Sequence, residues 1–200
     1  MKIFKAILFP LVYMIIYYFF QFVFGFLGMF IMTIVKRING QNVDYVKELG
    51  NVLVTAIIIS GILSFFIYWG IAYLRKQKMF QVCNFRKVKL QYLVIALIFG
   101  IALNVINEYL LLQLMKFDIF NEAFISSLNM TIFLMNTNII LAILGVGIIG
   151  PIIEEIIFRG LIFNELKNVM PVPVVIIVQG VLFGIYHLNL AHSTMAAVMG

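Results

Sequence analysis

The sequence predicts an all-α protein, a polytopic bundle of transmembrane helices. Three observations carry this. Hydrophobic residues make up 64% of the 200-residue chain and charged residues 11%, less than half the roughly 25% charge of a soluble domain. The apolar residues run continuously for about 20 positions, the length that crosses a hydrocarbon core as a helix, and lack the alternating segments of about ten residues that build a β-barrel. The basic residues flank these runs instead of covering a polar surface. The formal net charge of +6 therefore reads as membrane topology, with lipid as the partner and nucleic acid argued against. Soluble redox, phosphate-loop and dinucleotide motifs are absent from the sequence, and the single cysteine, Cys83, excludes an internal disulfide. In its basic loop, Cys83 reads as an exposed thiol with no His or acid nearby to lower its pKa.

The elements follow in order as one membrane domain over residues 1–200. The first apolar run covers about residues 6–35. It is too long for a signal-peptide core and shows no small-residue cleavage site, so it reads as a retained, tilted helix with an interfacial start near Pro10. The second and third cover about 52–74 and 90–115, the fourth about 131–168, the fifth about 172–188, and a sixth begins at His192 and stops at Gly200. The fourth, at 38 residues, would be roughly 57 Å long as one helix, against a core of about 30 Å. It must be kinked, strongly tilted or broken near Pro151, and Gly145, Gly147 and Gly150 allow a kink or close helix approach.

The connections orient the bundle. Segment 75–89 carries Arg75, Lys76, Lys78, Arg86, Lys87 and Lys89 and no acid, and the N-terminus carries Lys2 and Lys5. Loop 36–50 mixes Lys36, Arg37 and Lys47 with Asp44 and Glu48, and loop 116–130 sets Lys116 against Asp118 and Glu122. The positive-inside rule puts the N-terminus and segment 75–89 in the cytoplasm, with Lys167 on the same side.

Within this apolar chain the stretch GPIIEEIIFRG, residues 150–160, stands out. A charge at mid-bilayer costs roughly 2.5–3.5 kcal/mol on insertion scales, so Glu154, Glu155 and Arg159 need pairing, a water-filled cavity or an interfacial position. Glu155 and Arg159 stand at i,i+4, about 40° apart on one helical face, which makes Glu155 the expected ion-pair partner of Arg159. Glu154 points about 100° away from Glu155. A carboxylate buried away from cations has a raised pKa, a state suited to a general base near neutral pH. The same three residues also suit a solvated interfacial turn.

The second stretch is VLFGIYHLN, residues 181–189, where Phe183 and His187 again share a face at i,i+4. Counting from the helix-breaking NVMPVP, Glu154 lies 14 residues before Asn168 and His187 lies 16 after Pro171. At about 1.5 Å per residue both would sit roughly 20–25 Å from the turn. An antiparallel hairpin would bring them to similar depth, where a Glu and a His can hold and deprotonate a water; an interfacial histidine is the alternative. Asn104, Asn107 and Glu108 form a polar stripe at the outer interface or toward a cavity. His192 reads as a boundary residue, and Ser60 and Ser64 as helix-packing serines.

EEIIFRG (Glu154, Glu155, Arg159, Gly160) followed by FGIYH (Phe183, His187) resembles the CAAX-protease and bacteriocin-processing family, also called Abi or CPBP. The resemblance covers about residues 148–192. It implies a glutamate-type intramembrane endopeptidase. Glu154 would match the catalytic base, His187 its water-orienting partner, Glu155 and Arg159 the supporting acid and arginine, and Phe183 the aromatic that packs the site. It implies a peptide or protein substrate and no cofactor. Zinc is the alternative under older descriptions of the family, but a His-Glu-x-x-His element is absent from the sequence. The family also has a later helix with His and an Asn or Asp one turn on. The sequence stops at Gly200 before such a helix, so it reads as C-terminally truncated. Richness in Ile, Lys and Asn suggests a bacterial cell membrane, and bacteriocin self-immunity or peptide processing as the role. The alternative is a non-catalytic membrane immunity or binding protein with the same fold.

Overall fold

The computed structural model describes residues 2–41 and 45–199. Helix α1 is Lys2–Ile38, α2 is Tyr45–Leu74, and a single turn, α3, is Met79–Val82. Helix α4 is Leu90–Leu114, a 3-10 turn follows at Asp118–Phe120, and α5 is Asn121–Met135. A continuous helix, α6, covers Ile139–Leu166, followed by α7, Val172–Tyr186, and α8, Leu190–Met199. There is no strand among the described residues. Four helical stretches are long and apolar enough to cross a membrane: Ile3–Ile38, Glu48–Leu74, Leu90–Leu114 and Ile139–Leu166. Helix and composition agree on an all-α integral membrane bundle.

Two features differ from the sequence expectation. Helix α1 passes through Pro10 instead of starting there. The long fourth run is interrupted at Asn136–Asn138, not near Pro151. The Asn138 side chain caps the start of α6, its Oδ1 accepting from the N–H groups of Ile140 at 2.9 Å and Leu141 at 3.4 Å. Its own N–H donates to Asn51 Oδ1 of α2 at 2.9 Å. A side-chain acceptor that satisfies the orphan donors of a new helix favours starting one there.

Helix α6 then accommodates Pro151 by wider winding. Pro151 offers no N–H to the carbonyl one turn back. The seven residues Ile143–Ile149 just before it wind as a π-helix, in which the Gly150 N–H reaches the Gly145 carbonyl. A second π-helical stretch covers Glu155–Ile162, closed by the Phe163 N–H on the Phe158 carbonyl.

The residues fall into two compact units. The first comprises Met1–Cys83 and Met130–Val175, the second Asn84–Asn129 and Ile176–Gly200. In the first, α1 packs along α2 and α6 packs on both. Its interior holds Tyr13, Tyr17, Val54, Ser60, Ser64, Tyr68, Ile157, Phe158 and Ile162, all buried. Gly145 lets α6 approach α2 closely, since a Cβ there would lie 2.5 Å from Val54 Cγ1. Gly147 faces open space, so only one of these two glycines serves close approach. Large apolar side chains on the outer face of α1, among them Phe19, Phe22, Phe26 and Phe30, are exposed, as lipid-facing positions should be. In the second unit, α4 packs with α8 and buries none of its own residues.

Candidate active site

The second π-helical stretch of α6 sorts its side chains by face. Ile156, Ile157, Phe158, Gly160, Leu161 and Ile162 are buried, whereas the side chains of Glu155 and Arg159 are 54% and 40% exposed. Those two form an ion pair, Arg159 Nη1 to Glu155 Oε1, the i,i+4 partnership read from the spacing. Glu154, one residue earlier, is half-buried. Its carboxylate lies within electrostatic reach of the Tyr17 and Tyr18 phenols of α1, and Tyr17 is 1% exposed. Adjacent glutamates thus occupy different surroundings, one paired with an arginine on an open face and one half-buried within electrostatic reach of two phenols.

Gly160 places this stretch against the basic connection. A Cβ there would stand 2.7 Å from Cys83 Sγ and 3.3 Å from its Cα, so the chain after α3 rests directly on the helix next to Arg159. Cys83 is half-buried, not the exposed thiol its loop suggested, because the bare glycine leaves it room. Burial pushes its thiol up to about 11.

One charged group in the first unit was not singled out from the sequence as a partner. Arg75, just past α2, grips Glu165 of α6 with both guanidinium arms: Nη1 on Oε1, and Nη2 on Oε2 at 3.1 Å. Its Nη1 also donates to the Tyr13 hydroxyl at 3.1 Å, and its Cζ sits 3.9 Å from the centre of the Phe9 ring. The hydrogen bonds to Glu165 hold the guanidinium still more firmly in its charged form. The Tyr68 hydroxyl completes the cluster by donating to the Tyr13 carbonyl at 2.8 Å. Ninety positions separate Arg75 from Glu165, so no periodicity links them; the signal available was a lone acid at the end of an apolar helix.

In the second unit, His187 follows the end of α7. Leu188 adopts a positive φ of 51°, and Asn189 Oδ1 accepts from the His192 N–H of α8 at 3.1 Å, so the histidine stands in a tight turn between helices. Its ring meets Phe183 edge-on at 4.9 Å and Tyr186 at 5.7 Å. His187 Nδ1 is 2.9 Å from the Phe183 carbonyl. A carbonyl only accepts, so that bond puts the proton on Nδ1 and leaves the neutral ring a lone pair on Nε2. On the same helix, Gln179 is buried, and its Nε2 has no hydrogen-bond partner among the described residues. On α4, Asn107 is half-buried while Asn104 and Glu108 are exposed. Ser60 and Ser64 of α2 are buried, and Ser60 Oγ donates to the Ile57 carbonyl at 3.1 Å. Among the described residues, no group of three or more His, Cys, Asp or Glu side chains is placed to hold a metal ion.

The fold and these side chains define an integral membrane protein whose first unit presents a carboxylate pair with an arginine and whose second presents a helix-end histidine. The family model described as type II CAAX prenyl endopeptidase, Rce1-like, matches residues 136–200. That stretch holds Glu154, Glu155, Arg159, Phe183 and His187, and the match agrees with a member of the CAAX-protease and bacteriocin-processing family. At the level of class it supports an intramembrane protease of the CAAX type. No curated protein and no solved structure matches the chain.

Proposed function

We propose that the protein is a glutamate-type intramembrane endopeptidase that hydrolyses a peptide or protein substrate without a metal or other cofactor. The observation that carries this is the family match over residues 136–200, which spans both motif elements. Glu154 has the role of the general base that takes a proton from the attacking water, and His187, with the acceptor Nε2, that of the water-orienting residue. The water oxygen bonds to the scissile carbonyl carbon, the C–N bond breaks, and the proton on Glu154 passes to the leaving amine. The tautomer set by the Phe183 carbonyl presents a histidine nitrogen that accepts. The Glu155–Arg159 pair supports the helix that carries Glu154, and Phe183 fixes the His187 ring. The N-terminus and segment 75–89 are cytoplasmic, the membrane is a bacterial cell membrane, and the role is bacteriocin self-immunity or peptide processing.

Cleavage of a fluorogenic peptide library by the protein in liposomes tests this. Glu154→Gln and His187→Ala should each lower the rate by about 10²-fold or more, the usual scale for general acid–base catalysis, while a zinc chelator leaves it unchanged. If both variants keep full activity, the proposed chemistry is wrong. If they instead keep full bacteriocin immunity in cells without any cleavage, the protein acts by binding alone.

A further inference from the structure

The first unit holds a cavity of about 250 Å³ lined by Lys5, Ala6, Arg75, Glu165 and Asn168, none of which takes part in the hydrolysis proposed above. We propose that this cavity binds the phosphate group of an anionic glycerophospholipid.

The charge inventory favours an anion. Lys5 and Arg75 contribute two positive charges and Glu165 one negative, leaving one positive charge in excess. Glu165 is 4% exposed and spends both carboxylate oxygens on Arg75, so it presents little free charge to an incoming group. Arg75 has five N–H donors. Its hydrogen bonds among the described residues use three, two to Glu165 and one to Tyr13. Stacking on Phe9 and the clamp on Glu165 hold the guanidinium in place, so an anion meets a pre-set donor and loses little ordering entropy. Lys5 makes no ion pair among the described residues. Asn168 donates to the Asn164 carbonyl at 2.8 Å through one of its two amide N–H groups, which leaves the other for a phosphate oxygen.

The surroundings favour a lipid over a free ion. Segment 75–89, which begins at Arg75, carries six basic residues and no acid, and such clusters beside membrane helices attract anionic headgroups. Ile3, Phe4, Ile7 and Leu8 flank Lys5 on α1 and are exposed. They offer an apolar strip along which acyl chains can lie while the phosphate rests on Lys5 and Arg75.

Native mass spectrometry of the full chain tests the site, with phosphatidylglycerol and phosphatidylcholine offered at equal concentration. Phosphatidylglycerol should be retained preferentially. Lys5→Gln should lower that preference about fivefold, the contribution of one basic residue at a membrane surface. Lys78→Gln, an exposed basic residue outside the cavity, should leave it intact, as should excess inorganic phosphate. Equal retention of the two lipids overturns the proposal, and so does an equal loss in Lys78→Gln, which would reflect general surface charge. Displacement of the lipid by inorganic phosphate would assign the cavity to a free anion and overturn the lipid reading. The measurement is independent of peptidase activity, so it stands or falls apart from the catalytic proposal.

Discussion

Gly160 and Cys83 show how one missing side chain sets the geometry beside the motif. With 2.7 Å between a Cβ at 160 and Cys83 Sγ, Gly160→Ala must displace the chain that follows α3. Overpacking of this kind costs about 1–3 kcal/mol, to be read as lost thermal stability in detergent. Gly147→Ala meets open space and should be neutral or slightly stabilising, since Ala is favoured over Gly in a helix by about 0.5–1 kcal/mol. Cys83→Ala should rescue much of the Gly160→Ala loss; a failure to rescue would show that the contact does not set the cost. Burial also governs the chemistry of the thiol. The thiolate is the reactive form, and it accumulates only as pH rises through about 11, compared with an ordinary 9.0. Alkylation of Cys83 near pH 8 should therefore run about a hundredfold slower than that of an unperturbed thiol, two pKa units being two decades in thiolate, and should speed up on denaturation. At this scale the sequence was legible only where partners are close in the chain. Glu155 with Arg159 and Phe183 with His187 followed from i,i+4 spacing, whereas the neighbours of Cys83 depend on a helix that lies far along the chain.

Among the elements, α6 carries the motif, and its two ends decide where it sits. At its start, Asn138 caps the helix and ties it to Asn51 of α2. Asn138→Ala should cost about 1 kcal/mol, measurable as a lowered unfolding midpoint. The sequence held the signal for this break, since Asn136, Thr137 and Asn138 form a polar cluster of loop-forming residues, but the apolar residues on both sides made one long run appear continuous. At its other end, Glu165 is clamped by Arg75. Glu165 is buried and Arg75 half-buried, so removing either leaves the other without its partner at a cost below the roughly 3–5 kcal/mol of a fully buried pair, and Glu165→Gln and Arg75→Gln should both be destabilising. Arg75→Lys should rescue only partly, because an ammonium cannot match the two-armed grip. Equal stability of Arg75→Lys and the parent protein would show that charge alone holds this corner. Between these ends, α6 runs unbroken through Pro151, with π-helical winding on either side of it.

For the molecule as a whole, charge distribution sets the expected topology. Single cysteines introduced into a Cys83→Ala background at Lys78 and at Gln41 should label from opposite sides of the membrane, the first from the cytoplasm, because α2 separates them. Labelling of both from one side would refute the proposed orientation. Composition and periodicity established the membrane class, the apolar spans, and the faces of Glu155 with Arg159 and of Phe183 with His187, and the motifs EEIIFRG and FGIYH carried the resemblance that the family match over residues 136–200 supports. These are properties of the chain read locally, and a helix repeats its faces every few residues wherever it lies. Tertiary structure alone decided that Arg75 meets Glu165, that Cys83 lies on Gly160, that Glu154 lies within electrostatic reach of two phenols of α1, and that a basic cavity opens beside Lys5. Each of these joins residues far apart in sequence, and only the packing of one helix on another determines which side chains face each other.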